Sequence, residues 1–116
     1  MQHLTTKTFK EKILNYDVDK TKWLINKPTI IDIWAPWCGP CRVIAPIFNE
    51  LEEEFKDRID IYKIDVDENP EIAATFGIKS IPAVLFIPID GEPEISIGAM
   101  SKIAFIHAIE EFFKIK

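Results

Sequence analysis

Thr29-Ile30-Ile31-Asp32-Ile33-Trp34 is an almost unbroken apolar run rich in β-branched residues, the pattern of a strand covered on both faces rather than one. It predicts a central strand. Past Ala35-Pro36, apolar side chains recur at Ile44, Ile47, Phe48, Leu51 and Phe55, the stripe of a helix lying on a sheet. Cys38 falls at or just before the start of that helix, and Pro40 suits its first turn. Pro46 lies inside the stripe, where it removes a backbone hydrogen bond and predicts a kink. Ile59 to Val66 reads as the next strand. Asn69-Pro70-Glu71 then offers an N-cap, a first-position proline and a first-turn acid, with Gly77 placed to end a short helix. Ala83 to Ile87 and Glu94 to Ile97 predict a hairpin turning through Asp90-Gly91. Ser101 is placed to cap a last helix with apolar positions at Ile103, Ile106, Ile109, Phe112 and Phe113.

Upstream, Thr8-Phe9-Lys10-Glu11 has the form of a capping box opening a first short helix. Residues 15–28 show no period beyond the apolar pair Trp23 and Leu24, which predicts a connection with that pair packed on the core. Strands alternating with helices, then a hairpin and a helix, define an α/β class: a central mixed β-sheet flanked by helices on both faces. The 116 residues suit a single domain spanning 1–116, since a second core would leave too little to bury in either.

Composition narrows the function. With 47% hydrophobic and 28% charged residues the chain is expected to fold unaided. A net charge of -5 is the reverse of the basic footprint that nucleic acid requires. No apolar run reaches membrane-spanning length, and the first residues, Met1 to Lys7, lack the charged-then-apolar form of a leader. The expectation is a cytoplasmic monomer that binds neither nucleic acid nor membrane. Acidic residues Glu50, Glu52, Glu53 and Glu54 read as a solvated helix face, with Glu52-Lys56 and Glu54-Arg58 as weak pairs one turn apart.

The two cysteines are too few for a stapled scaffold. Spaced i and i+3 on the first turn of a helix, Cys38 and Cys41 share a face, so their sulfurs can bond with little backbone movement. Unpaired N–H groups and the helix dipole favour a thiolate at Cys38, the form that attacks disulfides. Cys41 is then the resolving thiol, one turn deeper and better shielded, that attacks the mixed disulfide. Asp32 is the second informative residue, because a carboxylate within an apolar central strand needs a partner or a task. Two readings stand side by side: a proton acceptor for Cys41 with a raised pKa, or a carboxylate simply hydrogen-bonded to backbone or to Lys63.

The segment Asp32-Ile33-Trp34-Ala35-Pro36-Trp37-Cys38-Gly39-Pro40-Cys41-Arg42 resembles the active-site segment of the thioredoxin family. Four further stretches follow in the family's order: His3-Leu4-Thr5 resembles its opening strand, Lys63 to Pro70 its third strand, Gly77 to Pro82 its cis-proline loop, and Gly98 to Lys102 the loop before its last helix. The resemblance implies the thioredoxin fold and dithiol-disulfide exchange with no cofactor and no metal. It assigns Cys38 as nucleophile, Cys41 as resolving thiol, Asp32 as buried acid-base group with Lys63 nearby, and a cis Pro82 facing the sulfurs. It also implies a small apolar docking patch of Trp37, Gly39, Pro40, Ile81, Pro82, Gly98 and Ala99, with the Ile81 backbone offered to an extended target segment. The partners implied are disulfide-containing target proteins and a thioredoxin reductase as electron donor. Departures are confined to loops: a hairpin about one residue longer, containing Pro88; Ala83 where threonine is common; and a longer stretch from Asn15 to Pro28.

Other readings are weaker. A zinc site would need His3 and His107 to join the cysteines, and neither has ligand-like spacing. Trp34 reads as mainly packing, and Trp37 as part of the site. An oxidase or isomerase would use the same thiols, but Gly39-Pro40 lacks the histidine that oxidising relatives carry there. A pure scaffold would have no need of Cys38, Cys41, Asp32 and Pro82 together.

Overall fold

The computed structural model describes residues 1–116. Five strands, β1 (Gln2–His3), β2 (Thr29–Trp34), β3 (Asp60–Asp65), β4 (Ala83–Ile87) and β5 (Glu94–Ile97), form one sheet in the order β1-β3-β2-β4-β5. β1, β3 and β2 run parallel, β4 is antiparallel to β2, and β5 is antiparallel to β4. Four helices, α1 (Thr6–Lys12), α2 (Gly39–Glu54), α3 (Pro70–Phe76) and α4 (Lys102–Phe113), cover it. The mixed, two-sided α/β sandwich read from the periodicities is the architecture found.

Alternation along β2 and β4 splits the apolar residues between two faces. Ile31, Ile33, Ile64 and Leu85 meet Phe9 and Ile13 at α1 and Ile72 of α3. Ile30, Ile61, Val84 and Phe86 meet Ile44, Phe48 and Leu51 of α2 and Phe105, Ile109 and Phe113 of α4. Each such side chain contributes about 1.5–3 kcal/mol by leaving water. β2 is thus walled on both sides, and Asp32 is walled with it.

Several local expectations are corrected. The first helix begins a turn earlier than Thr8-Glu11 implied: Thr5 is the N-cap, its hydroxyl accepting from Thr8 N–H at 3.1 Å while Thr8 Oγ1 accepts from Thr5 N–H at 2.8 Å. Threonine fills the role expected of glutamate, so β1 stops at His3 and Thr5 belongs to the helix start. In the connection, an antiparallel bridge joins Leu14 to Trp23. Alternation then sends Trp23 to the core and its neighbour Leu24 outward, so only half of the expected pair packs inward. On α4 the buried residues are Phe105, Ile109 and Phe113, while Ile103 is 67% exposed. Strict steps of three lag behind a 3.6-residue turn, whereas steps of four stay with the core face. The pairs Glu52-Lys56 and Glu54-Arg58 do not form. α2 ends at Glu54; Glu50 and Glu54 pair with Lys102 of α4, and Arg58 donates to the Glu54 carbonyl. α2 runs through Pro46 as one helix, and Pro88 falls directly after β4, where the pairing with β2 ends. Gly77 ends α3 at φ 66°, and Gly91 turns the hairpin at φ 106°, both conformations that favour glycine.

Asn69 sits at the N-cap position of α3 but makes no side-chain cap. Its Oδ1 accepts from Thr6 N–H at 2.8 Å and from Thr6 Oγ1 at 3.3 Å, and its Nδ2 donates to the Asp65 carbonyl at 3.0 Å. One buried amide therefore ties the start of α1 to the end of β3.

Candidate active site

β2 delivers the chain to the sheet's C-terminal edge, and a turn closed by Cys38 N–H donating to the Ala35 carbonyl at 3.1 Å starts α2. Cys38 is the N-cap, with Gly39-Pro40 as the first helical residues. Cys38 and Cys41 are joined as a disulfide across 5.3 Å between Cα atoms. The Cys38 sulfur accepts from Cys41 N–H at 3.2 Å, so a backbone donor already points at the atom that would carry charge once the bond opens. Shielding hardly separates the two: Cys38 is 4% exposed and Cys41 2%. What distinguishes them is this N–H contact and the cap position, a correction to the expected contrast in depth.

Around the disulfide, Ala35, Trp34, Val66 and Ile81 close a small apolar cluster. The Ile81-Pro82 bond is cis, as the resemblance implied, and Pro82 is buried. The Pro82 carbonyl accepts from Gly98 N–H at 2.8 Å, with Gly98 at φ 95°, which joins the start of β4 to the end of β5. Ala99 follows, exposed. Trp37, 67% exposed, shares with Ile81, Val66, Ala73 and Ile78 the lining of a shallow groove that reaches α3. Gly39 and Pro40 are exposed beside it. Cys38, Cys41 and Ile81 thus meet in one cluster, while Trp37 and Ile81 meet again in the groove.

Trp37 is held by a residue not anticipated from the sequence. Its indole N–H donates to Asp67 Oδ2 at 2.9 Å. The available clue was topological: Asp67 follows β3, the parallel neighbour of β2, so both chain ends emerge at one edge.

Asp32 is 1% exposed, and neither of its oxygens has a hydrogen-bond partner. The plain structural reading, a carboxylate bonded to backbone or to Lys63, is therefore not what is found. Burial pushes its pKa up to about 7, against the opposing charge of Lys63. Lys63 is its register partner on β3, yet the ammonium lies 4.4 Å from the centre of the Trp34 ring. No group of three or more His, Cys, Asp or Glu is gathered as a metal site would need. No helix is long and apolar enough to cross a membrane.

An α/β sandwich that presents an i, i+3 cysteine pair at a helix start beside a cis proline is a scaffold for thiol-disulfide exchange. The thioredoxin family model matches residues 1–111. Relatives include a thioredoxin of Borreliella burgdorferi, 41% identical over 112 residues (95% of each chain). A thioredoxin 1 of a Nostoc species is 34% identical over 93% of this chain and 92% of its own. An M-type chloroplastic thioredoxin of Spinacia oleracea is 38% identical over 97% of this chain and 57% of its own. The chain belongs to the thioredoxin family and is a protein thiol-disulfide oxidoreductase.

Proposed function

We propose that this protein works in the reducing direction, as a general protein-disulfide reductase of the cytoplasm that acts as a single-domain monomer. The observation that carries the mechanism is the cap geometry: a sulfur at the N-cap of a 16-residue helix, facing the Cys41 N–H. That environment favours a thiolate at Cys38 over one at Cys41.

The Cys38 thiolate attacks one sulfur of a target disulfide; the target's S–S bond breaks and its other sulfur leaves as a thiolate. Asp32, as carboxylate, accepts the Cys41 thiol proton. The Cys41 sulfur then attacks Cys38, breaking the mixed disulfide and releasing the target's second sulfur, so two electrons pass to the target and the Cys38-Cys41 disulfide forms. Lys63 tempers the charge on Asp32. Trp37, Gly39, Pro40, Gly98 and Ala99 supply an uncharged surface for many brief partners. Ile81, ahead of Pro82, presents backbone to an extended target segment. A thioredoxin reductase returns the pair to the dithiol.

The division of labour is tested by trapping. A Cys41→Ser variant should accumulate covalent complexes with disulfide targets, visible as thiol-sensitive bands on non-reducing gels, and Cys38→Ser should not. Equal trapping by the two variants would overturn the assignment.

A further inference from the structure

Asp32 of β2 and Lys63 of β3 stand opposite one another in a parallel register, which points both side chains to the same face of the sheet. Opposite charges so placed would be expected to pair. They do not: both carboxylate oxygens lack a hydrogen-bond partner, and the ammonium instead lies 4.4 Å from the centroid of Trp34. Trp34 is two residues beyond Asp32 on the same strand, hence on the same face, diagonal to Lys63. Its ring is met from β1 by His3, edge to face, at 6.1 Å between centroids and 67° between planes. The indole N–H is buried and has no partner, so the ring's face is what it offers its neighbours.

The choice of partner has a physical reason. Closing on Asp32 would draw the lysine head between β2 and α2, away from water, at a desolvation cost that a single ion pair need not recover. Over the indole face the ammonium is attracted by the ring's quadrupole, and the residue as a whole stays half-buried, not sealed in the core.

We propose that Trp34 is a positioning residue: its ring face holds the Lys63 ammonium off Asp32, so that the cross-strand pair does not close and the carboxyl stays free to exchange a proton with the dithiol site. This rests on the reading of Asp32 as proton acceptor. The Asp32 row across the sheet holds His3, Lys63, Val84 and Ser96. The buried faces of α2 and α4 bring Cys41, Ile44, Phe48, Phe105 and Ile109. Burial raises the Asp32 carboxyl and the charge of Lys63 opposes it, so where the ammonium sits sets how far that opposition reaches.

The test follows the Asp32 carboxyl carbon by NMR across pH in the oxidised protein, where neither thiol titrates. In Trp34→Leu, which removes the face and leaves Lys63 free, the Asp32 midpoint should fall by roughly one unit or more, a tenfold rise in its acid constant, as expected of a carboxylate that gains an adjacent cation. Trp34→Phe, which keeps an aromatic face, should restore most of the wild-type midpoint. In Trp34→Leu combined with Lys63→Met the fall should vanish, and the midpoint should match that of Lys63→Met alone. An unmoved midpoint in Trp34→Leu, or a fall that persists without Lys63, overturns the proposal. Should Trp34→Leu not fold, uniform incorporation of tetrafluorotryptophan keeps the ring's shape and empties its face of charge; the midpoint should again fall, and no change would be decisive against the idea. The readout is titration in the oxidised state, so it stands apart from turnover. If Asp32 were no proton acceptor, the midpoints would still shift while rates of mixed-disulfide resolution stayed the same in Asp32→Asn.

Discussion

Between Ile31 and Ile33, on a strand walled by helices on both sides, the Asp32 carboxyl must shed its hydration to fold, and nothing in the protein replaces it. The consequence is a pH dependence whose sign can be worked out. Below the ordinary carboxylate range, near pH 4, Asp32 is protonated folded or unfolded and costs nothing by ionising. From about pH 4 to about 7, its folded value, the unfolded chain has released the proton and the folded chain keeps it. Stability therefore falls with rising pH across that window, by up to roughly 4 kcal/mol, and levels off above it. Asp32→Asn cannot ionise, so its stability advantage over the parent in urea unfolding should grow from pH 4 to 7 and then stay flat; parallel curves would exclude a raised Asp32. The same variant should lose any rise in the rate of mixed-disulfide resolution centred near pH 7, measured by stopped-flow. A carboxylate out of place was legible from one line of sequence. That it lacks both expected hydrogen bonds was not, because whether Lys63 turns toward Asp32 or Trp34 is decided across strands.

At the scale of elements, the strand and helix types followed directly from period, while their ends and contacts depended on partners distant in sequence. β2 and β4 were readable because a strand buried on both faces leaves an unmistakable run. α4 was misphased because Phe105, not Ile103, falls on the side toward Phe48, with ring centroids 4.9 Å apart. Asn69 shows the same limit: its position at the start of α3 suggested a cap, but its amide serves α1 and β3. Removing it in Asn69→Ala leaves Thr6 N–H without its partner, while the Asp65 carbonyl loses the side-chain donor but keeps the Asn69 backbone N–H at 3.0 Å; the lost bonds are only part-buried, so water can make good some of the loss. The expected cost is about 2 kcal/mol, seen as a lower urea midpoint with an unchanged denaturant slope. A loss below about 0.5 kcal/mol, the range of an ordinary surface substitution, would mean that α1 is held by Phe9 and its apolar neighbours alone.

For the whole molecule, what matters is which chain ends the sheet order brings to one edge. Adjacent strands in sequence are easy to pair on paper, but the order β1-β3-β2-β4-β5 is what sets the end of β3 beside Trp37 and the start of β4 beside the cysteines, and Asp67 entered the site unseen for that reason. The charge gathered there bears on the direction of electron flow. When the disulfide opens, the helix start and the Cys41 N–H stabilise one thiolate. No cationic side chain lies within Gly39-Pro40 to add to this, and Asp32, ionised above about pH 7, opposes a second negative charge. A dithiol so weakly stabilised gives up its electrons readily, so the Cys38-Cys41 pair should equilibrate below the cytosolic glutathione poise when titrated in dithiol buffers and followed by tryptophan fluorescence. Pro40→His places a titratable cation in the first turn of α2, one residue from Cys41. Stabilising the thiolate by about 1 kcal/mol would raise the potential by roughly 20 mV. A parent potential at or above the glutathione poise would instead make the protein an oxidase or isomerase, and an unmoved potential in Pro40→His would mean that the thiolate is governed by the backbone N–H and not by charge in the dipeptide.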